Sequence, residues 1–206
     1  MTNICSLEDM ARHMREDGIG VYPTETYMAL GCRAGSESAV AALFVVKRRP
    51  HHLPMPLIAA DMEQVRRVAR PQPEAEKLME RFWPGPLSIL LPITGRTPAA
   101  LSGGTGMAAV RITSHAGARD LALAVGEPLA ASSANISGAP PARDVESLDP
   151  ALLERQIVVW DTPPKPAGRL PSTLVQIKGA GRLLVLRRGA VSTQALQLAG
   201  YTIEYV

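Results

Sequence analysis

The chain has 206 residues, 46% hydrophobic and only 4% aromatic, so it can bury a sizeable core built from Leu, Val, Ile and Ala and is not a disordered segment. Lys and Arg number 22 against 19 Asp and Glu, a net +3 that suits an anionic ligand but falls short of a strongly basic nucleic-acid-binding domain. Cys5 and Cys32 show no metal-ligand spacing and give no basis for a disulfide framework.

In chain order, "SLEDMARHMREDG" predicts an opening helix. Ser6 is its N-cap, Leu7, Met10 and Met14 form its apolar stripe, and Gly18 marks its end. This charged, polar opening does not read as a signal peptide, and no apolar run nears the roughly 20 residues of a membrane span, so a cytoplasmic protein without a membrane partner is expected. "IGVY" predicts a short buried strand stopped by Pro23, and "SESAVAALFVVKRR" a helix capped by Ser36 with a cationic C-terminus. Then follow a strand in "PLIAA", a helix opened by Asp61, a helix with Pro73 near its start, and strands in "LSILLPI" and "MAAVRI". "HAGARDLALAVG" predicts a helix, "PLAAS" a strand, 146–155 a helix and "IVVW" a strand. Beyond the Pro-rich loop 161–171, "STLVQI" and "RLLVLR" predict a hairpin around "KGAG" that joins the main sheet, followed by a short helix and the strand "YTIEY". Helices alternating with strands, then clustered strands, predict one α/β domain over residues 1–206 with a mixed sheet and helices outside it.

The polar clusters fall at strand exits, where ligands of α/β sheets tend to bind. "PTET" (23–26) taken alone reads first as a turn with a helix cap and second as part of a pocket, whereas "SSANISG" (132–138) reads equally as an Asx-type turn or as part of a pocket. "PST" (171–173) opens a strand, and Arg111 sits inside one. "KRRPHH" reads either as a solvated helix end favoured by the dipole or as a phosphate clamp. His51 and His52 have no carboxylate or Cys at useful spacing, so no metal site is expected there. "SGGTGMAAV" lacks the Lys of a P-loop and precedes a strand, so it reads as a turn. No G-x-S-x-G or H-E-x-x-H occurs, and neither cysteine has an obvious activating neighbour in the sequence.

Eight strings in order, "YPTET", "KRRP", "PLI", "RFWPGPLSILL", "AAVRI", "SSANISG", "PSTLV" and "VLRRGAV", resemble the YrdC-like family over about residues 18–191. That family includes the YciO branch and the threonylcarbamoyl-AMP synthases. The resemblance implies a twisted mixed parallel and antiparallel sheet with one large, positively lined cavity. It implies a nucleotidyltransferase that condenses L-threonine, bicarbonate and ATP into threonylcarbamoyl-adenylate and pyrophosphate. The product would serve tRNA N6-threonylcarbamoyladenosine formation, with tRNA and proteins of that pathway as expected partners.

Position by position, the resemblance assigns Lys47 and Arg49 to the ATP phosphates as the catalytic pair. Ser133, Asn135 and Arg187 fall to the nucleotide, and Thr24, Thr26, Arg111 and Ser172 to threonine. Mg²⁺ would arrive with ATP, with no dedicated protein metal site. The chain departs from the family pattern at Met28, Ala29, Met55, Ala60 and Pro141, and its loop after "KRRP" is about two residues longer, as in the YciO branch. The alternative reading is a YciO-like protein that binds double-stranded RNA or nucleotide without the synthase reaction.

Overall fold

Ser6 Oγ accepts the amide of Asp9 at 3.1 Å and starts helix α1, Leu7–Arg15, whose buried side is Met10, Ala11 and Met14. The computed structural model describes residues 4–153 and 157–205. Helix α2, Glu37–Lys47, is capped by Ser36 as expected, and its far end positions the site. There Arg48 takes a left-handed conformation (φ 50°) while Arg49 N–H donates to Phe44 O at 2.9 Å and Arg48 N–H to Val45 O at 3.1 Å. This Schellman closure turns the chain sharply just before Arg49. Asp61 caps α3, Met62–Val68, and Pro73 occupies the first turn of α4, Pro73–Phe82. Helix α5, Ala116–Val125, is capped by His115, whose Nδ1 accepts the Ala118 amide at 3.1 Å.

The strands are β1 Gly20–Pro23, β2 Met28–Arg33, β3 Leu57–Ala59, β4 Leu87–Pro92 and β5 Met107–Ile112. They continue with β6 Leu129–Ser133, β7 Val158–Val159, β8 Thr173–Gly179, β9 Arg182–Arg187 and β10 Thr202–Tyr205. They form one sheet in the order β10-β9-β8-β4-β5-β3-β6-β2-β1-β7. Pairings are mixed: β3–β5, β4–β8, β1–β7 and β9–β10 run parallel, the rest antiparallel. The predicted hairpin is present, turned by Ala180 (φ 52°) and Gly181 (φ 71°), and its β8 joins the sheet beside β4.

Alternate residues of the strands feed opposite faces. Val21, Leu30, Leu57 and Val110 join Leu43 and Phe44 of α2 and Leu78 of α4 in the larger core. Tyr22, Ile58 and Leu129 meet Met10 and Met14 of α1 and Leu121 and Val125 of α5 in the smaller one.

Strand β2 is absent from the sequence expectation. "MALGCR" has no β-branched residue and no alternation, yet it pairs on both sides, with β1 and β6. Gly31 permits this, because a Cβ there would lie 2.5 Å from Ala130 O and 2.8 Å from the Tyr22 hydroxyl. Helix α6, Pro150–Leu153, starts four residues later than the predicted 146–155, of which 154 and 155 lie outside the described residues.

Candidate functional site

"PTET" forms the connection between β1 and β2, closed by Thr24 N–H donating to Tyr27 O at 3.1 Å. The Thr24 hydroxyl donates to the same oxygen at 2.7 Å and accepts the Thr26 amide at 3.3 Å, so it is a turn-former rather than a helix cap. Thr24 and Thr26 are buried, with their hydroxyls 3.2 Å apart. The turn and the pocket are therefore the same object.

"SSANISG" leaves the end of β6, whose Ser133 pairs with Ala29 of β2. Ser133 Oγ donates to Asn135 Oδ1 at 2.6 Å, while Asn135 Nδ2 donates to Ile136 O at 2.9 Å and also to Ala139 O. Lys47, only 2% exposed, crosses to this loop and donates to Ser133 O (2.6 Å), Asn135 O (2.9 Å) and Asn135 Oδ1 (2.7 Å). All three ammonium protons are thus taken by the protein. Burial, aided by the charge of Arg49, pushes Lys47 down to about 7.

Three guanidiniums complete the site. Arg49 donates through Nε to Leu53 O (3.4 Å) and through Nη2 to Pro54 O (2.7 Å), so the loop after "KRRP" curls around it. Arg187 donates through Nε and Nη2 to Ser172 O (3.0 and 2.9 Å) and through Nη2 to Ser172 Oγ (2.9 Å). Arg111 places Nε 3.1 Å from Glu25 Oε1 and donates Nη1 to Ser172 Oγ at 3.4 Å. The Arg111–Glu25 contact is an ion pair whose N–H is not aligned, since both atoms lack a hydrogen-bond partner. Each arginine keeps one terminal nitrogen with no protein acceptor among the described residues: Nη1 of Arg49, Nη1 of Arg187 and Nη2 of Arg111. Burial lowers the proton affinity of Arg49, and that of Arg187 falls through burial and then through the charges of Arg111 and Arg49.

These groups surround one cavity of 470 Å³. All nine residues assigned from the sequence line it: Thr24, Thr26, Lys47 and Arg49 from the first quarter of the chain, then Arg111, Ser133, Asn135, Ser172 and Arg187. Of the five departures, Met28, Ala29 and Pro141 also line it, whereas Met55 and Ala60 are packed in the two cores. His51 lies away from the cavity and stacks on Phe44, ring centroids 5.0 Å apart. The sequence reading missed Glu25, although it sits inside the quoted "PTET", and it missed Ser88, which exchanges a 3.0 Å hydrogen bond with Ser172. Only a long-range contact marks either as part of the site. Burial pushes the Cys32 thiol up to about 12 and raises Cys5, so neither is poised as a nucleophile.

A mixed α/β sheet with a cation-lined hollow at its strand ends offers a shape and charge that suit a small polyanion. The chain belongs to the Sua5/YciO/YrdC family: the Sua5_yciO_yrdC family model, described as Telomere recombination, matches residues 12–189. It is 35% identical to a threonylcarbamoyl-AMP synthase of Chromobacterium violaceum over 86% of this chain and 92% of that protein. It is 36% identical to a threonylcarbamoyl-AMP synthase of Xanthomonas euvesicatoria pv. vesicatoria over 74% of this chain and 83% of that one. Among solved structures, a P. abyssi Sua5 complexed with L-threonine superposes with TM-score 0.86 at 30% identity, over 98% of this chain and 62% of that one. The H234A/Y235A form of P. abyssi Sua5 gives TM-score 0.91 at 31% identity, over 97% of this chain. The chain thus spans 61% of that Sua5 chain. E. coli YciO, at 23% identity and TM-score 0.80, shares the fold.

Proposed function

We propose that this chain is a threonylcarbamoyl-AMP synthase, a nucleotidyltransferase acting on L-threonine, bicarbonate and ATP. One observation carries the reading: three arginines, each with one terminal nitrogen left over by the protein, face a single cavity that Thr24, Thr26, Ser133 and Ser172 also line. Free guanidinium nitrogens suit phosphate and carboxylate oxygens, at about 1.5–3 kcal/mol for each charged hydrogen bond.

The chemistry needs no side-chain nucleophile. Threonine's amine and bicarbonate give a carbamate with loss of water. A carbamate oxygen then attacks the α-phosphorus, a P–O bond forms, the bond to the β-phosphate breaks, and pyrophosphate leaves with that electron pair. The protein aligns the reactants and meets the charge on the leaving group. In this reading Arg49 and Arg187 take the triphosphate, and Lys47 adds its field while tethering the loop that carries Ser133 and Asn135. Ser133 Oγ already donates its proton to Asn135, so it offers lone pairs suited to a ribose hydroxyl. Arg111, Ser172, Thr24 and Thr26 hold threonine. Mg²⁺ would enter with the triphosphate and shield its charge. No Asp or Glu lines the cavity among the described residues, and Glu25 is engaged by Arg111 and Thr113, which favours an ion carried in by ATP.

The product would feed N6-threonylcarbamoyladenosine formation in tRNA, in the cytoplasm. Among the described residues no helix is long and apolar enough to cross a membrane. Incubation with ATP, bicarbonate and threonine, with pyrophosphate assayed, tests the reading: threonine-dependent release is expected. No release with any amino acid, together with salt-dependent binding of double-stranded RNA, would move the chain to the YciO-like alternative.

A further inference from the structure

We propose that Glu25 sets which anion Arg111 accepts: its carboxylate cancels the guanidinium charge, so the threonine end of the cavity takes a carboxylate and turns phosphate away. The proposal rests on the reading of the cavity as a threonine-plus-ATP site. Glu25 is held on several sides. Its carbonyl oxygen accepts the Ala167 amide at 3.3 Å, its neighbour Thr26 O accepts the Gly168 amide at 2.7 Å, and its Oε2 accepts the Thr113 hydroxyl. The Pro-rich loop thereby clips the "PTET" turn from outside while β5 and the residue after it hold the carboxylate. Glu25 cannot swing clear without giving up the Thr113 bond.

Its partner is equally confined. The Arg111 side chain is 8% exposed and that of Glu25 is 12% exposed, so their charges are poorly screened by water. Because the Nε–H is not aligned on Oε1, the contact acts through charge more than through a directed hydrogen bond. Arg49 and Arg187 differ: their acceptors are carbonyl oxygens and the Ser172 hydroxyl, and no carboxylate pairs with either among the described residues. The cavity therefore carries one carboxylate-compensated arginine, Arg111, next to an uncompensated one, Arg187, with which it shares the Ser172 hydroxyl, and a second uncompensated arginine, Arg49. Repulsion from Glu25 grows with the ligand's charge, so a phosphate dianion or pyrophosphate loses more than a carboxylate monoanion does. The bare Nη2 of Arg111 remains to orient that carboxylate. ATP is then kept from binding back to front, or twice.

The test is calorimetric titration of pyrophosphate into wild type, Glu25→Gln and Glu25→Asp, each checked for folding by circular dichroism, together with steady-state kinetics. Glu25→Gln should bind pyrophosphate about tenfold more tightly, a difference of about 1.4 kcal/mol. In that variant pyrophosphate should compete with threonine, raising the threonine KM while the ATP KM stays near wild type. Glu25→Asp, which keeps the charge on a shorter arm, should retain wild-type pyrophosphate affinity. Equal pyrophosphate affinity in wild type and Glu25→Gln would overturn the proposal, as would equal shifts in both variants. Should the wild type release no pyrophosphate with threonine, the synthase reading fails, and the direct titration still judges Glu25.

Discussion

Lys47 and Asn135 lie 88 residues apart, yet Lys47 Nζ donates to both Asn135 Oδ1 (2.7 Å) and Asn135 O (2.9 Å). The last residue of α2 is thereby bolted to the loop that closes the other side of the cavity. The third donor goes to Ser133 O at 2.6 Å, so the loop's shape depends on one ammonium group.

Replacing that group should loosen the loop. Lys47→Met removes the hydrogen bonds to Ser133 and Asn135 but leaves the oxygens beside an open cavity, where water can replace part of the loss. A stability decrease of about 2–3 kcal/mol is expected, with a fall of at least about tenfold in pyrophosphate release. Urea midpoints and the pyrophosphate assay measure both. A variant of wild-type stability would contradict the role of Lys47 as a tether.

The same residue sets a pH dependence. Its folded value lies near 7, against an ordinary value of 10.5, because burial, with Arg49 beside it, disfavours the charged form. Between those values the unfolded chain binds more protons than the folded one, so stability rises with pH across that window and the cost of charging Lys47 is full below it. The slope is bounded by about 1.4 kcal/mol per pH unit. Urea midpoints from about pH 7 to about pH 9 should climb in wild type and climb less in Lys47→Met. Parallel curves would refute the assignment.

Ser172 joins two arginines. Its Oγ accepts from Arg187 at 2.9 Å and from Arg111 at 3.4 Å, and exchanges a 3.0 Å bond with Ser88. Ser172→Ala leaves Arg187 held by the carbonyl alone and Arg111 held at Nε alone. The threonine KM should rise about tenfold, corresponding to about 1.4 kcal/mol, with a smaller effect on the ATP KM. Initial-rate kinetics in each substrate resolve the two.

Gly189 stands where no side chain fits. A Cβ there would lie 2.3 Å from Pro171 O, 2.5 Å from Thr173 N and 2.6 Å from Ser172 C, all backbone atoms. Gly189→Ala should push the start of β8 away, costing about 1–3 kcal/mol and misplacing Ser172 and Arg187 together. Thermal melting and pyrophosphate release should fall in step. A melt matching wild type would show that the chain yields there.

Most of the elements were legible because each carried a local signal. Ser36 and Asp61 announce helix starts through their side-chain oxygens, Pro73 suits a first turn, and "KGAG" supplies the left-handed residues a tight hairpin requires. Strand β2 was not legible, since its stability comes from pairing with β1 and β6 rather than from its own residue types. His115 is likewise an unforeseen cap: a ring nitrogen does the work usually done by a short oxygen. The nine assigned residues were legible through an ordered set of motifs, and they share one cavity.

The sequence alone determined the α/β class, the ends of several helices and the residue types available at the strand exits, since each depends on short-range preferences and on the period of apolar residues. How the donors are divided depended on the folded chain. That Lys47 gives all its protons to the protein, that each arginine keeps one nitrogen back, and that Glu25 faces Arg111 are all contacts between distant segments. A chain of residue names carries no distances between such segments. Only packing brings a carboxylate within 3.1 Å of a guanidinium and makes one arginine differ from its neighbours.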